Sequence, residues 1–395
     1  MLTSLVLAAT IDIAAARAAF EDLDRLCRAD AGRLWNVSLC GPTVFADPKS
    51  RDAVTWVDGE LKAATIPQEI GIANYGLDWD GRRWTMVMWP LPDDPYDRRA
   101  LLAHESWHRV QDTLGFKQTG PKNLHLDGAG GRAALRLEMR ALARALESGS
   151  KNAIEDALAF RAMRHALFSG SAEEERLLEM HEGLAEYTGT ALAEPRVKER
   201  AAHIAKALRD ADRSESYMRS FAYRTGPAWG ALIEMKSPHW TRSLKPSDDL
   251  ALVAQRAWKL KTPKDADARE KKYGGAEIRA AEQARAEKKR VLIAELRAKF
   301  IDGPTLTVPM GGGGMTFDPY GLQPLGDAGT VYRSITVSGP WGKLEVTSGG
   351  GLVSSDWTKV VVPANADGYT LTLNEGWSKV RGARDGDLTV GRSSP

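Results

Sequence analysis

The stretch YDRRALLAHESWHRVQDTLG, residues 96–115, contains His104, Glu105, Ser106, Trp107 and His108, an H-E-x-x-H pattern. On a helix, residues four apart share one face, so the two imidazoles can converge on one Zn2+. Glu105 lies one step round from His104. From there it can reach a water held at the metal's open position and take its proton as the water attacks a carbonyl. That is peptide-bond hydrolysis in outline. The flanks read as a helix: Asp94, Pro95, Asp97 and Arg98 give a start signal, Leu101, Leu102 and Leu114 give apolar positions, and Gly115 a stop. The plain alternative is a solvated helix with two unrelated histidines.

Upstream of this helix, residues 74–79 and 83–89 flank Asp80-Gly81, a pair suited to a primed hairpin turn. Residues 35–39, 43–46 and 54–57 are short apolar or β-branched runs broken by Gly41, Pro42 and Pro48, which predicts strands and turns. Phe20, Leu23, Leu26 and Cys27 are spaced as the buried stripe of a helix over 14–30. Residues 1–95 are thus expected to form a small α+β sheet unit packing on the catalytic helix. Downstream, 131–146, 151–168, 171–193, 196–212 and 226–235 carry periodic Leu, Ala and Ile separated by Ser-Gly or Pro punctuation. Residues 266–300 read as one long charged helix with a solvated face. The catalytic domain, 96–302, is therefore mainly helical. From Gly303 the texture turns to Thr, Val and Gly, with candidate strands at 305–308, 331–337, 344–347, 360–362 and 369–373. Residues 303–395 predict an all-β accessory domain, a β-sandwich or small barrel. Its glycine clusters at 311–314 and 349–351 lack phosphate-loop spacing and read as turns. The expected fold class is α+β and multidomain.

The chain of 395 residues is long enough for two or three folding units. Its formal charge of +2, with 27% charged residues of both signs, carries no nucleic-acid footprint. No apolar run reaches the length of a membrane span. Residues 1–9 are mostly apolar and lead into an alanine-rich stretch, compatible either with a signal-peptide h-region or with an apolar start to the first helix. Cys27 and Cys40 are compatible either with one disulfide or with two buried thiols. Export to a periplasmic or extracellular location rests on the first member of each pair, and a cytoplasmic location on the second.

A catalytic zinc usually takes three protein ligands, so the pair needs a partner from elsewhere in the chain. The stretch EMHEGLAEYTG, residues 179–189, places Glu182 and Glu186 four apart on a predicted helix, with Gly183 and Ala185 small enough for close approach to the first helix. This combination resembles the gluzincin-type zinc metallopeptidases, relatives of thermolysin and the alanyl aminopeptidases, which pair H-E-x-x-H with a later glutamate, often in E-G-x-A. The resemblance implies a zincin-like fold, Glu182 as the third ligand, and Glu186 as an outer acid that hydrogen-bonds a ligand histidine and raises its basicity. Tyr223, Arg224, Thr225 and Gly226 look like the Y-x-x-G segment of the aminopeptidases, which implies that Tyr223 donates a hydrogen bond to the oxyanion. A structural tyrosine at a helix start is the alternative.

The likeness covers about residues 98–234, and it departs from the family in the long gap between His108 and Glu182. The G-x-M-E-N segment that holds a substrate amino terminus is absent, which favours a metalloendopeptidase over an aminopeptidase. His181 adjoins Glu182 but points about 100° away on an ideal helix. His125 and Asp127 are expected in a surface loop, and His165, His203 and His239 in structural roles. The sequence thus predicts a zinc-dependent metallopeptidase acting on peptide or protein substrates. The rivals are a non-catalytic metal-binding scaffold recognising partners through its β domain, and a zinc hydrolase of non-peptide amides or esters.

Overall fold

A computed structural model describes residues 11–318 and 321–393. The apolar residues 1–9 lie outside the described residues. The protein is mixed α+β, with an N-terminal sheet, a helical middle and a C-terminal sheet region. It divides into two compact units, one up to Gln283 and one from Ala284 onward.

The first unit opens with α1 (Ile13–Asp30), whose first backbone N–H groups at Ala14 and Ala15 donate to the Asp12 carboxylate. Strands β1 (Thr43–Ala46), β2 (Asp52–Val57), β3 (Glu60–Thr65), β4 (Tyr75–Trp79) and β5 (Arg82–Met88) follow. They form one sheet in the order β3-β2-β1-β5-β4, antiparallel throughout except for β1 with β5. Side chains alternate across the sheet, so Phe45 faces α1, where it stacks on Phe20 at 3.9 Å, while Val44 and Ala46 join Leu77, Trp84 and Met86 on the other face. The Asp80-Gly81 turn joins β4 to β5 with positive φ at both residues, as a primed turn requires. That leaves β4 at the sheet edge.

Around this sheet one expectation differs from the structure and one strand is additional to those expected. Residues 35–39 form no strand. Their alternation reflects a loop fixed by a Cys27–Cys40 disulfide and by Trp35, which sits 5.6 Å from the Trp107 ring and donates its Nε1–H to Thr188 Oγ1 at 2.9 Å. The unexpected strand β3 carries mostly exposed residues and therefore lacks an apolar signal.

Helices α2 (Pro95–Val110), α3 (Ala129–Ser148), α4 (Lys151–Leu167), α5 (Ser171–Leu178), α6 (Leu184–Ala193), α7 (Val197–Asp210), α8 (Ala222–Glu234) and α9 (Leu250–Trp258) share one apolar core that includes the fully buried Trp107 and Trp229. The stretch read as one helix over 171–193 is two helices joined by a π-helical turn at Glu179–Gly183. The stretch read as one helix over 266–300 breaks at Gly274 into a short Ala266–Arg269 helix with a following 3₁₀ turn, then a Gly275–Arg297 helix.

In the second unit, a four-stranded sheet orders Tyr369–Leu373, Gly342–Val346, Ile335–Gly339 and Met315–Phe317. A seven-stranded sheet runs Trp377–Arg381, Leu388–Arg392, Thr305–Pro309, Lys359–Pro363, Gly351–Val353, Thr330–Tyr332 and Gln323–Pro324. Residues of both sheets, among them Leu306, Val337, Leu344 and Val360, share one apolar core. The run expected as a single strand over 331–337 is divided between the two sheets at Arg333 and Ser334, so one strand's worth of sequence serves both layers.

Candidate metal centre

Asp94 caps α2 by accepting from the N–H groups of Tyr96 and Asp97, and Pro95 occupies the first turn, so the H-E-x-x-H residues fall on a well-started helix. The helix packs tightly on α6. A Cβ on Gly189 would lie 2.5 Å from the Ala100 carbonyl oxygen, a separation only glycine permits. The small residue expected to serve this approach, Gly183, instead meets α8: its Cα is where a Cβ on Gly226 would lie, 2.3 Å away. Three backbones thereby close around one point.

His104, His108 and Glu182 converge there, with one ligand atom of each within 4.8 Å of the others and all three side chains buried. The two Nε2 atoms are 3.1 Å apart, and Glu182 Oε2 lies 3.6 Å from that of His104 and 3.5 Å from that of His108. Each imidazole is held from behind. His104 Nδ1 is 2.9 Å from Glu186 Oε2, and His108 Nδ1 is 2.7 Å from Gln111 Oε1. Because both outer partners accept, each Nδ1 carries a hydrogen, and the two Nε2 atoms are turned to each other and to Glu182. Two imidazole nitrogens and a carboxylate oxygen facing one another suit a cation in place of a proton, so these residues could hold a metal ion.

The electrostatics agree. Burial opposes a charged His104, yet hydrogen bonds with Glu182 and Glu186 and the charge of Glu105 push its pKa up to about 10, so the surroundings favour positive charge. Burial alone would raise the Glu182 carboxyl, but the adjacent His104 and His108 and the hydrogen bond from Tyr223 hold it well below its ordinary value. Glu105, 4.0 Å from His104 Nε2, is shifted the other way. Burial raises its pKa, the two histidines offset part of that, and Glu182 and Glu186 add to the rise. Its Oε2 has no hydrogen-bond partner among the described residues.

Tyr223, on α8, lies parallel to the His104 ring at 5.6 Å, and its hydroxyl donates to Glu182 Oε2 at 2.5 Å. Burial and the neighbouring Glu182 raise its pKa, keeping the hydroxyl protonated. Arg219 donates to the other Glu182 oxygen at 3.1 Å. His181 stays out of the cluster, its Nδ1 3.1 Å from the Thr119 carbonyl oxygen.

The π-helical turn that carries Glu182 is itself anchored. Three residues earlier, Glu179 accepts from Arg161 at 2.8 and 2.5 Å and from Thr225 Oγ1 at 2.5 Å, tying the turn to α4 and α8. Such turns recur at functional sites because they re-aim a side chain within an otherwise regular helix. His125, expected on a surface loop, is instead bonded to the buried Glu175 at 2.7 Å, and His165 approaches the same carboxylate at 3.0 Å.

The cluster opens into a cleft of about 1260 Å³. Asn74, Tyr75 and Gly76, at and beside the start of edge strand β4, form part of one wall, and Tyr223 and Arg224 of α8 form part of another. A Cβ on Gly76 would lie 3.0 Å from the His108 carbonyl oxygen, so this strand runs directly over the metal-site helix. His203, read from sequence as structural, lines the cleft while stacked on Tyr96 at 4.3 Å. Gln111 and Arg219 carried no recognisable sequence pattern. Gln111 lies three residues past His108 and Arg219 four before Tyr223, spacings that gain meaning only once the metal-site groups are placed.

Comparison with protein-family models, with curated proteins and with solved structures finds no match to this chain.

Proposed function

We propose that this protein is a zinc-dependent metallopeptidase of the H-E-x-x-H type. The observation that carries the reading is the convergence of His104, His108 and Glu182 on a broad cleft, with the Glu105 carboxylate alongside. His104, His108 and Glu182 would hold the ion, which when bound acidifies a water and polarises the scissile carbonyl. Glu105 is the general base that takes the water's proton and later passes it to the leaving amine, a task suited by its raised pKa. Tyr223, protonated and beside Glu182, is the donor to the oxygen that gains negative charge. Glu186 and Gln111 fix the imidazole tautomers.

The edge strand at the cleft wall supports a peptide substrate, because an extended chain can pair with a free strand edge through its main chain. The size of the cleft favours an endopeptidase over an enzyme of small amides or esters. A non-catalytic scaffold would be expected to close the metal with a fourth protein ligand, and His181, its best candidate, is not among the residues whose ligand atoms converge. The Cys27–Cys40 disulfide supports a location outside the reducing cytoplasm. None of the described helices is long and apolar enough to cross a membrane.

The test is zinc content and peptide hydrolysis in wild type and Glu105→Gln. About one zinc per chain in both, with hydrolysis reduced by about two orders of magnitude or more in the variant, is the expected result. Undiminished hydrolysis in zinc-loaded Glu105→Gln would remove the general base, and failure of wild type to take up zinc would remove the reading altogether.

A further inference from the structure

Four Lys or Arg residues line the cleft, and three of them are already engaged by carboxylates. Arg83 pairs with Asp78 at 2.8 Å, Lys206 with Asp210 at 2.5 Å and Arg219 with Glu182 at 3.1 Å. Arg224 differs. It is half-buried, yet among the described residues its guanidinium has no ion pair and no hydrogen bond. A guanidinium that lines the cleft without an anion is available to one brought by a ligand. The position is not neutral with respect to the chemistry. Arg224 directly follows Tyr223, which contacts both His104 and Glu182, and shares its cleft-facing side of α8 with Pro227, three residues on.

The carboxylates of the cleft do not fill the gap. Asp112 lies 3.6 Å from Arg83, Glu186 is committed to His104 and Asp94 to the N-terminus of α2. Asp97 stands in the first turn of α2, and no ion pair joins it to Arg224. A guanidinium presents a rigid fork of donors that matches a carboxylate.

We infer that Arg224 is a substrate-recognising residue that takes a carboxylate of the peptide beside the bond to be cut. The inference deepens the peptidase reading and rests on it for the nature of the substrate. The carboxylate has two sources, an Asp or Glu side chain within the chain or the free terminus of a peptide cut near its end.

The experiment is calorimetric binding to full-length, zinc-loaded Glu105→Gln protein, which reads recognition without turnover. One arm uses end-blocked alanine octapeptides with a single Glu moved through every position, against their Gln counterparts. The second uses amino-blocked alanine peptides of stepwise length ending in a free carboxylate or an amide. Tighter binding of the carboxylate form by about tenfold or more is expected in one arm, which identifies the source. Adding Arg224→Ala should erase that difference with zinc content unchanged, and Arg224→Lys should restore part of it. Equal affinity within every pair, absence of binding, or a preference that survives Arg224→Ala would overturn the inference. Hydrolysis of neutral peptides by wild type tests the peptidase reading separately, so either idea can fail alone.

Discussion

Glu186 Oε2 lies 2.9 Å from His104 Nδ1, on the side of the ring away from Glu182. One carboxylate therefore faces the candidate metal position while another, a turn later in the same segment, sets the tautomer of His104. Their removal should have unequal consequences. Glu182→Ala is expected to abolish stable zinc binding, whereas Glu186→Ala should weaken it by about 10- to 100-fold, with Gln111→Ala in the same range through His108. Competition with a graded series of chelators gives the three affinities. Equal losses for Glu182→Ala and Glu186→Ala would contradict the distinction between ligand and support.

Tyr223 reaches the same carboxylate from α8, and its single hydroxyl has two conceivable uses. If it only braces Glu182, Tyr223→Phe should lower zinc affinity and leave the turnover of zinc-saturated protein almost unchanged. The expected outcome is the opposite. With zinc retained, kcat for a peptide should fall by about two to three orders of magnitude while KM changes little, because a donor to the developing charge acts only in the transition state. Arg219 remains to hold Glu182 in that variant.

Most of this centre is legible in the chain because helical spacing is local information. His104 with His108, and Glu182 with Glu186, are each four residues apart, and the period of the helix brings each pair to one side. Which glycine brings the helices together was not legible. Gly183 and Gly189 are equally small, and only the packing assigns the first to α8 and the second to α2. The buried charges were hidden for a related reason. Arg161, Arg164, Glu175 and Glu179 look like the polar stripe of amphipathic helices, and their burial depends on α4 facing α5 and the following π-helical turn with opposite charges. Trp35 imitated a strand residue because an anchored loop also alternates buried and exposed positions.

The disulfide closes the loop that carries Trp35 against Trp107, itself one of the residues between His104 and His108. Replacing both cysteines, Cys27→Ser with Cys40→Ser, should destabilise the N-terminal unit by about 3 kcal/mol, the scale for a loop of this length. At roughly 2–4 °C per kcal/mol, that lowers its thermal midpoint by several degrees. Reductant should lower the wild-type midpoint by a similar amount and leave the double variant unmoved. A reductant effect of equal size in both proteins would place its origin elsewhere.

Glu175 is fully buried, accepts from Arg164 through both oxygens at 2.6 Å, and meets His125 and His165 at its flanks. Burial alone pushes its pKa up, but the charge of Arg164 and the hydrogen bonds from Arg164, His125 and His165 prevail and hold it well below 4.5. A carboxyl whose pKa is depressed by folding contributes stability that is fully present above its unfolded value and drains away as pH falls through the folded one. Glu175→Gln should therefore cost most at neutral pH, about 3–5 kcal/mol for a broken buried ion pair. The difference between wild type and variant should then shrink as pH is lowered from 4.5. Thermal midpoints of both proteins, measured metal-free from pH 7 to pH 3, read this directly, chelation keeping the titration of the metal site common to the two. A gap that stayed constant across that range would mean that the ionised form of Glu175 is not what holds α4 and α5 together.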